Sequence, residues 1–195
     1  MARSKRYKEL VKEIHTLRKY LLPRQFDPIG KYLDEELIKA IAFRVLAHAE
    51  LESYVEDRVM ELAKVATRSW KTNKKASCTL MGLLAFSGDE MELPPDSLTP
   101  MQPTQKSIWG KKIYLNNKID DCMINFVGSV KKNHGIKERN LLKFLLPVGV
   151  EADSLDQTWL ATMNSFGERR GESAHKSTGS YRATQQINPR RVKSS

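Results

Sequence analysis

Apolar residues recur at steps of three and four along most of the chain, which is the spacing of one face of an α-helix. Residues 4–22 carry one such stripe on an otherwise charged segment, and a turn rich in proline and glycine follows at 23–30. A second, longer helix is predicted from residue 33 or 34 to about residue 71, and acids in its first turn suit the positive end of the helix dipole. Its predicted core stripe is Leu37, Ile38, Ile41, Val45, Leu46, Ala49, Val55, Val59, Leu62 and Val65.

Three more helices are predicted between residues 74 and 146. A short apolar helix spans 74–86, and a loop with four prolines and four acids follows at 87–103. A long helix is predicted at about 104–132 and a short one at 138–146. The predicted core positions of the long helix are Ile108, Ile113, Leu115, Ile119, Cys122, Met123, Phe126 and Val130.

The last helix is predicted to begin near residue 153 or 154 and to end at Gly167 or, with a break there, to continue through His175. Its predicted core positions are Leu155, Trp159, Leu160, Met163 and Phe166. No segment alternates apolar and polar residues as a strand does, so the chain is predicted to be all-α. We expect a bundle of four to five main helices with additional short helices.

The domain organisation follows from the turns and from the charge of the C-terminal end. Residues 1–30 are predicted to form an N-terminal helix and a linker, and residues 31–180 a helical domain. Residues 181–195 form a basic tail or the start of a further helix, because Asn188–Pro189 has the pattern of a helix N-cap.

Charge and cysteine content narrow the functional classes. The net charge of +10 favours a polyanionic partner. The cysteines, Cys78 and Cys122, lack a CxxC spacing, so buried free thiols are expected. Because the four histidines are also scattered, we expect neither a bound metal nor another cofactor. No apolar stretch is long enough to span a membrane and no signal peptide is evident, which predicts a cytoplasmic protein.

The segment from Phe166 to His175 carries the strongest candidate chemistry, since Arg170 is followed by four residues and then His175. RNA cleavage needs a base for the 2′-hydroxyl proton, and histidine titrates in the right range. It also needs positive charge at the phosphate, which the arginine fork supplies. Such a spacing also arises by chance, and on a regular helix these positions lie about 140° apart. A helix start near Gly171, or a second copy of the chain, would be needed to pair them.

Several segments in the same order resemble the RiboL-PSP-HEPN branch of the HEPN superfamily. The C-terminal likeness lies in Asn133–Lys137, in Asn140, in Phe144–Gly149 and in the run from Phe166 to His175. Another recurrent cluster of the branch is similar to His48–Glu52 on the long helix. The chain is therefore identified as a member of this branch from residues spread over most of 33–175.

The resemblance implies a HEPN-type helical bundle and a homodimer in which two Arg-His pairs face each other across the interface. It implies a metal-independent endoribonuclease, often a toxin or an anti-phage defence effector, with RNA as substrate and with a cognate antitoxin as a further partner. The catalytic residues would be Arg170 and His175, and Arg169, which precedes His175 with a spacing of five residues, is the alternative arginine. The supporting residues would be Arg169, Glu172, His48 and Glu52.

Alternatives remain open for several of these residues. Many active members carry Asn, Asp or His directly after the arginine, whereas this chain has Gly171. A non-catalytic module that binds RNA or a partner protein is therefore a second hypothesis. His48 and Glu52 share a helix face and could simply be a hydrogen-bonded pair at the core boundary. RNA-binding residues are predicted at Trp109, Lys111 and Lys112, where an aromatic ring lies among lysines.

Overall fold

The computed structural model describes residues 4–27, 32–88 and 114–175. The chain divides into two compact units. The described part of unit 1 comprises residues 4–27, 32–57, 134–141 and 155–175, and that of unit 2 comprises 58–88, 114–133 and 142–154. The secondary structure in these ranges is helical and without strands, so the prediction of an all-α protein is confirmed.

Six α-helices make up the described ranges. They are α1 Lys5–Leu21, α2 Asp34–Asn73, α3 Cys78–Ala85, α4 Leu115–Lys131, α5 Glu138–Leu145 and α6 Gln157–His175, with a 3₁₀ turn at Ala152–Ser154 before α6. None of the helices in the described part of the chain has the length and apolar content needed to cross a bilayer.

Side-chain caps fix where three of the helices begin. The hydroxyl oxygens of Ser4 and Ser77 accept hydrogen bonds from backbone N–H groups in the first turns of α1 and α3, each at 3.2 Å. The Asp156 carboxylate accepts from the N–H groups of Thr158 and Trp159, at 2.7 and 3.2 Å, at the start of α6. The predicted start of the last helix at residue 153 or 154 is therefore wrong, since the cap lies at Asp156.

The bounds predicted for α1, α2 and α5 are confirmed to within about two residues. The helix predicted at 74–86 begins only at Cys78, because Lys74 has a φ of 55° and ends α2 instead of starting a new helix. The long helix predicted from residue 104 begins at Leu115, with the non-helical Tyr114 before it, and residues 104–113 lie outside the described ranges.

In unit 1, α1 is fixed to α2 by polar and aromatic contacts. The Arg6 guanidinium lies 2.7 Å from the Asp57 carboxylate and donates to the Ser53 hydroxyl at 3.2 Å. The rings of Tyr7 and Tyr54 meet edge to face with centroids 6.3 Å apart. The buried apolar residues of unit 1 are Leu10, Leu22, Ala40, Phe43, Ala47, Ile136, Leu141, Leu160, Met163 and Phe166.

In unit 2, a buried cluster of Ala66, Leu80 and Ile119 joins α2, α3 and α4. The Trp70 indole N–H donates to the Asn116 side-chain oxygen at 3.0 Å at the edge of this cluster. Helix α3 also lies directly against the turn after α5, where a Cβ at Gly82 would be 2.6 Å from the carbonyl oxygen of Pro147.

Several residues predicted to lie in the core are exposed. On α2 these are Ile38, Leu46, Ala49, Leu62 and Val65, and elsewhere Leu115, Trp159 and Cys78. The buried positions of α2 are largely small: Ala40 and Ala63 are 0% exposed, and Ala47 and Ala66 are 4% exposed. Alanine allows close approach of a neighbouring helix, so the packed face of α2 runs beside the stripe of large residues.

Candidate functional site

A row of polar side chains runs along α2 within unit 1. Arg44, His48, Glu52 and Glu56 follow one another at four-residue intervals and therefore lie along one side of the helix. Arg44 is 6% and His48 is 1% exposed, whereas the two glutamates are half-buried. Buried charged and polar residues at successive turns are uncommon in a helix core, so this row marks a built polar site.

Helix α6 brings two side chains, one turn apart, to this row. The Phe166 ring is buried and lies 5.7 Å from the His48 ring, centroid to centroid, at 34°. Arg170 is half-buried, and its positive charge acts on both His48 and Glu52. The Nε atom of Arg170 is buried and has no hydrogen-bond partner among the described residues.

The segment between α4 and α5 completes the site. The backbone N–H of Gly135, whose φ is 150°, donates to the Glu52 carboxylate. Ile136 is 1% exposed and anchors the segment in the core. Lys137 lies against α6 at Gly167, where a Cβ would be 2.8 Å from the Lys137 Cγ. Gly167 thus allows α6 and this segment to approach each other closely.

The electrostatics of the site favour an uncharged imidazole beside a cation. Burial, and secondly the charge of Arg170, lower the pKa of His48 from 6.5 to about 4. Burial, and secondly Glu56, raise the pKa of Glu52, while Arg170, the Gly135 N–H and His134 oppose this. The Nδ1 atom of His48 lies 3.6 Å from the Glu52 carboxylate. At neutral pH, His48 is therefore uncharged, its Nδ1 has no hydrogen-bond partner among the described residues, and the charge of Arg170 acts on both His48 and Glu52.

The buried His48 leads to a pH dependence of stability. Between pH 6.5 and about 4 the unfolded chain binds a proton at His48 that the folded chain does not, so the free energy of unfolding falls as the pH falls through this window. We expect His48→Gln to reduce the stability lost between pH 7.5 and pH 4.5 by about 2 kcal/mol. Urea unfolding of both proteins at the two pH values measures this. An equal loss of stability in parent and variant would contradict it.

The structure brings together three of the residues predicted for the site: His48, Glu52 and Arg170. Arg169 is exposed on α6, and Glu172 is half-buried one turn after it. The backbone of α6 continues to His175, whose side chain lies outside the described residues. The predicted RNA-binding residues Trp109, Lys111 and Lys112 also lie outside the described ranges.

Helix α6 is continuous from Gln157 to His175, without a break at Gly167 or a new start at Gly171. Positions 170 and 175 are therefore about 140° apart around the axis and separated by about 7.5 Å along it. One copy of the helix therefore does not place these two backbone positions on the same side.

Sequence reasoning did not assign a role in the site to Arg44, Gly135, His134 or Phe166. The four-residue interval before His48 was a usable signal for Arg44. The glycine after His134 was a weaker signal, because glycine often occupies positions where the backbone has a positive φ. Nothing in the local sequence pointed to the contact of Phe166 with His48.

Comparison with protein families finds that the model of the RiboL-PSP-HEPN family matches residues 4–194. No curated protein and no solved structure matches the chain. The family match spans nearly the whole chain, including α1 and the basic C-terminal end, and confirms the resemblance drawn from the sequence.

Proposed function

Since the chain belongs to the RiboL-PSP-HEPN family, we propose that it is a metal-independent endoribonuclease that acts as a homodimer. We propose further that it serves as a toxin or an anti-phage defence effector in the cytoplasm, held in check by a cognate antitoxin. The observation that supports the enzymatic part is the setting of Arg170 beside the buried polar row of α2.

Arg170 has the properties expected of a phosphate-binding arginine. Its side chain is half-buried, so the water that would screen its charge is partly excluded. Its Nε is buried and has no hydrogen-bond partner among the described residues, so a phosphate would meet the part of the half-buried side chain that is accessible. A phosphate that gains charge during cleavage would be stabilised by the fixed positive charge of the guanidinium.

His175 is proposed as the general base. It would take the proton from the 2′-hydroxyl, so that O2′ attacks the phosphorus and the bond to the 5′-oxygen breaks. The products are a 2′,3′-cyclic phosphate and a 5′-hydroxyl, the latter protonated by an acid in the site. Because positions 170 and 175 are about 140° apart on one helix, we propose that Arg170 of one copy works with the histidine of the other.

His48 and Glu52 are proposed as positioning residues. His48 is 1% exposed, so it is too deeply buried to meet the substrate. Its neutral ring packs on Phe166 and adds no charge that would repel Arg170. The Glu52 carboxylate accepts a hydrogen bond from the Gly135 N–H and interacts electrostatically with the Arg170 guanidinium. This interaction is proposed to keep the guanidinium oriented. Arg169, exposed on the preceding position, is proposed as a phosphate contact, and Glu172 as a local partner of the arginines.

The experiment that tests the function is cleavage of total RNA by the purified chain with a chelator present. We expect fragments that end in a 2′,3′-cyclic phosphate and begin with a 5′-hydroxyl. End-group analysis after phosphatase and kinase treatment identifies both ends. Cleavage that requires magnesium and leaves a 5′-phosphate would exclude the mechanism.

A second candidate function is that of a non-catalytic RNA- or partner-binding HEPN module, and Gly171 favours it. The space around this position is open, because a Cβ there would meet nothing within 4 Å. The side chain that many active members carry after the arginine is therefore absent although there is room for it. RNA binding by the parent without cleavage of any RNA pool would favour this function.

A further inference from the structure

Five exposed residues of α1 form a basic face, which we name the α1 ridge: Lys5, Lys8, Lys12, His15 and Lys19. Successive members are separated by three or four residues. At 100° per residue, they fall within an arc of about 80° and extend over about 21 Å of the helix axis. Every described position of α1 within that arc is lysine or histidine.

The opposite face of α1 is occupied by the protein itself. Leu10 is 7% exposed, and Tyr7 contacts Tyr54 of α2. Arg6, the basic residue of α1 that lies on the packed side, is bound to Asp57 at 2.7 Å. Of the basic residues of this helix, Arg6 holds α1 on α2, Arg18 is exposed outside the arc, and the others form the row that faces away from α2.

The ridge has little structural purpose. Its acidic neighbours, Glu9 and Glu13, lie beyond the edge of the arc, and the contact of Lys5 with Glu9 is long, at 3.9 Å, with the lysine 93% exposed. Exposed pairs of this kind contribute little to stability, and like charges at intervals of four residues oppose helix formation slightly. Lys19 lies in the last turn of α1, where its charge suits the helix dipole, and its Nζ is 5.7 Å from the centre of the Tyr20 ring. The other members of the row contribute little to the helix, which favours a ligand of opposite charge for the ridge.

We propose that the α1 ridge binds the phosphate backbone of single-stranded RNA, the substrate class of the proposed ribonuclease function on which this identification of the polyanion rests. A row one residue wide and about 21 Å long fits a linear series of phosphates, which lysines bind without sequence preference. An anionic membrane fits less well, since a helix that lies on a bilayer inserts its apolar face, and that of α1 is packed on α2.

The ridge begins at the level of the proposed site. Arg6 contacts Ser53 and Asp57, and Ser53 directly follows Glu52 on α2. The first turn of α1 therefore lies within about 8 Å of Glu52 measured along the α2 axis. RNA bound along the ridge would therefore begin at the same level of α2 as Glu52.

The test compares two triple variants with the same loss of charge. The ridge variant carries Lys8→Gln, Lys12→Gln and Lys19→Gln, and the control carries Lys64→Gln, Lys75→Gln and Lys131→Gln, three exposed lysines outside the ridge. The probe is a fluorescent single-stranded 2′-O-methyl oligonucleotide of mixed sequence, which cannot be cleaved through a 2′-hydroxyl. Binding is followed by anisotropy between about 50 and 200 mM salt, the range in which counterion release is usually measured.

We expect the ridge variant to bind about tenfold more weakly at low salt, and the slope of log affinity against log salt to shrink by about 2, because each lost phosphate contact removes roughly 0.7. The control should keep most of the affinity and slope of the parent. Equal losses in both variants, no loss in either, or a parent that binds phosphatidylserine vesicles but not the oligonucleotide would each overturn the proposal.

Binding of the uncleavable probe is independent of catalysis, so the outcome separates this inference from the enzymatic one. A parent that binds through the ridge but cleaves no RNA would support the ridge and refute the ribonuclease. If the parent cleaves RNA and the ridge variant binds the probe as well as the parent does, the result would support the ribonuclease and refute the ridge. Thermal unfolding of both variants shows whether the exposed substitutions leave the fold intact.

Discussion

Replacing His175 by alanine is expected to lower the rate of chelator-resistant RNA cleavage by about 100- to 10,000-fold, the usual contribution of a general acid or base. The expectation follows from the chemistry, since the 2′-hydroxyl is a poor nucleophile until its proton is removed. Arg170→Ala should lower the rate by a comparable factor of about 100 to 1,000, because it removes the charge proposed to stabilise the developing phosphorane. Cleavage of a fluorogenic RNA at matched enzyme concentration measures both.

The matched control is Arg169→Ala. This arginine precedes Arg170 on α6 but is exposed, so its removal deletes the same charge without altering the polar row of α2. We expect a loss of about tenfold or less, as for one solvated phosphate contact. Equal losses in the two arginine variants would show that net charge, and not the setting of Arg170, accounts for the activity.

Mixing the two inactive variants tests whether one site uses both copies. A heterodimer of the Arg170→Ala and His175→Ala chains would contain one intact Arg-His pair if the pair is shared across a two-fold interface. With random exchange, the mixture should recover about a quarter of the activity of the parent. No recovery by a mixture that exchanges subunits would show that the pair belongs to a single chain.

An inactive parent would direct attention to Gly171. The position has space for a side chain, so Gly171→Asn introduces the residue type found in many active members without a steric cost in the described structure. Cleavage by the Gly171→Asn variant that is lost again on adding His175→Ala would support the mechanism in a weakened form. No cleavage by the parent or by Gly171→Asn would contradict the enzyme hypothesis and favour a binding module.

The helical class and most helix bounds could be predicted from sequence because they depend on local patterns. The cap at Ser4 and the turns after α1 act within a few residues, whereas the cap at Ser77 was missed and α3 was predicted to begin at residue 74. The same holds for the alignment of His48 with Glu52, which follows from a four-residue interval on a helix without proline or glycine.

The remainder of the site depends on contacts between distant segments. Glu52 is held by Gly135, more than 80 positions away, and His48 packs on Phe166 at a still larger separation. Neither contact leaves a periodic signal. Five of the ten core positions predicted for α2 are exposed for a related reason, since Ala40 and Ala63 are fully buried only because neighbouring segments approach them. The predicted pairing of Arg170 with His175 would also require a second chain, because the two positions lie about 140° apart on one helix.

Gly149→Ala is expected to lower the free energy of unfolding by about 2–4 kcal/mol, the range reached when backbone strain and overpacking act together. Gly149 has a φ of 85°, and an L residue there costs about 1–2 kcal/mol. A Cβ at this position would also lie 2.8 Å from the carbonyl carbon and 2.9 Å from the carbonyl oxygen of Cys78. These are backbone atoms at the start of α3, so they cannot move aside by a rotamer change.

The contact is part of the packing that joins α3 to the turn after α5 in unit 2. The Thr79 hydroxyl donates to the carbonyl of Val148 at 2.9 Å, so a displacement at Gly149 would also stretch this hydrogen bond. Thermal unfolding should show a fall in Tm of about 5–15 °C, given 2–4 °C per kcal/mol for a chain of this size.

Gly128→Ala provides the matched control for this prediction. Gly128 lies inside α4, and a Cβ there would meet nothing within 4 Å. Alanine is favoured over glycine in a helix by about 1 kcal/mol, so this variant should be as stable as the parent or slightly more so. The same substitution therefore has opposite effects at the two positions, and only the close packing and the positive φ at Gly149 explain the difference. A Tm of Gly149→Ala within about 2 °C of the parent would mean that α3 is not held against the turn as described.

Gly82→Ala, whose Cβ would lie 2.6 Å from the Pro147 carbonyl oxygen, tests the same contact from the α3 side without a change in φ.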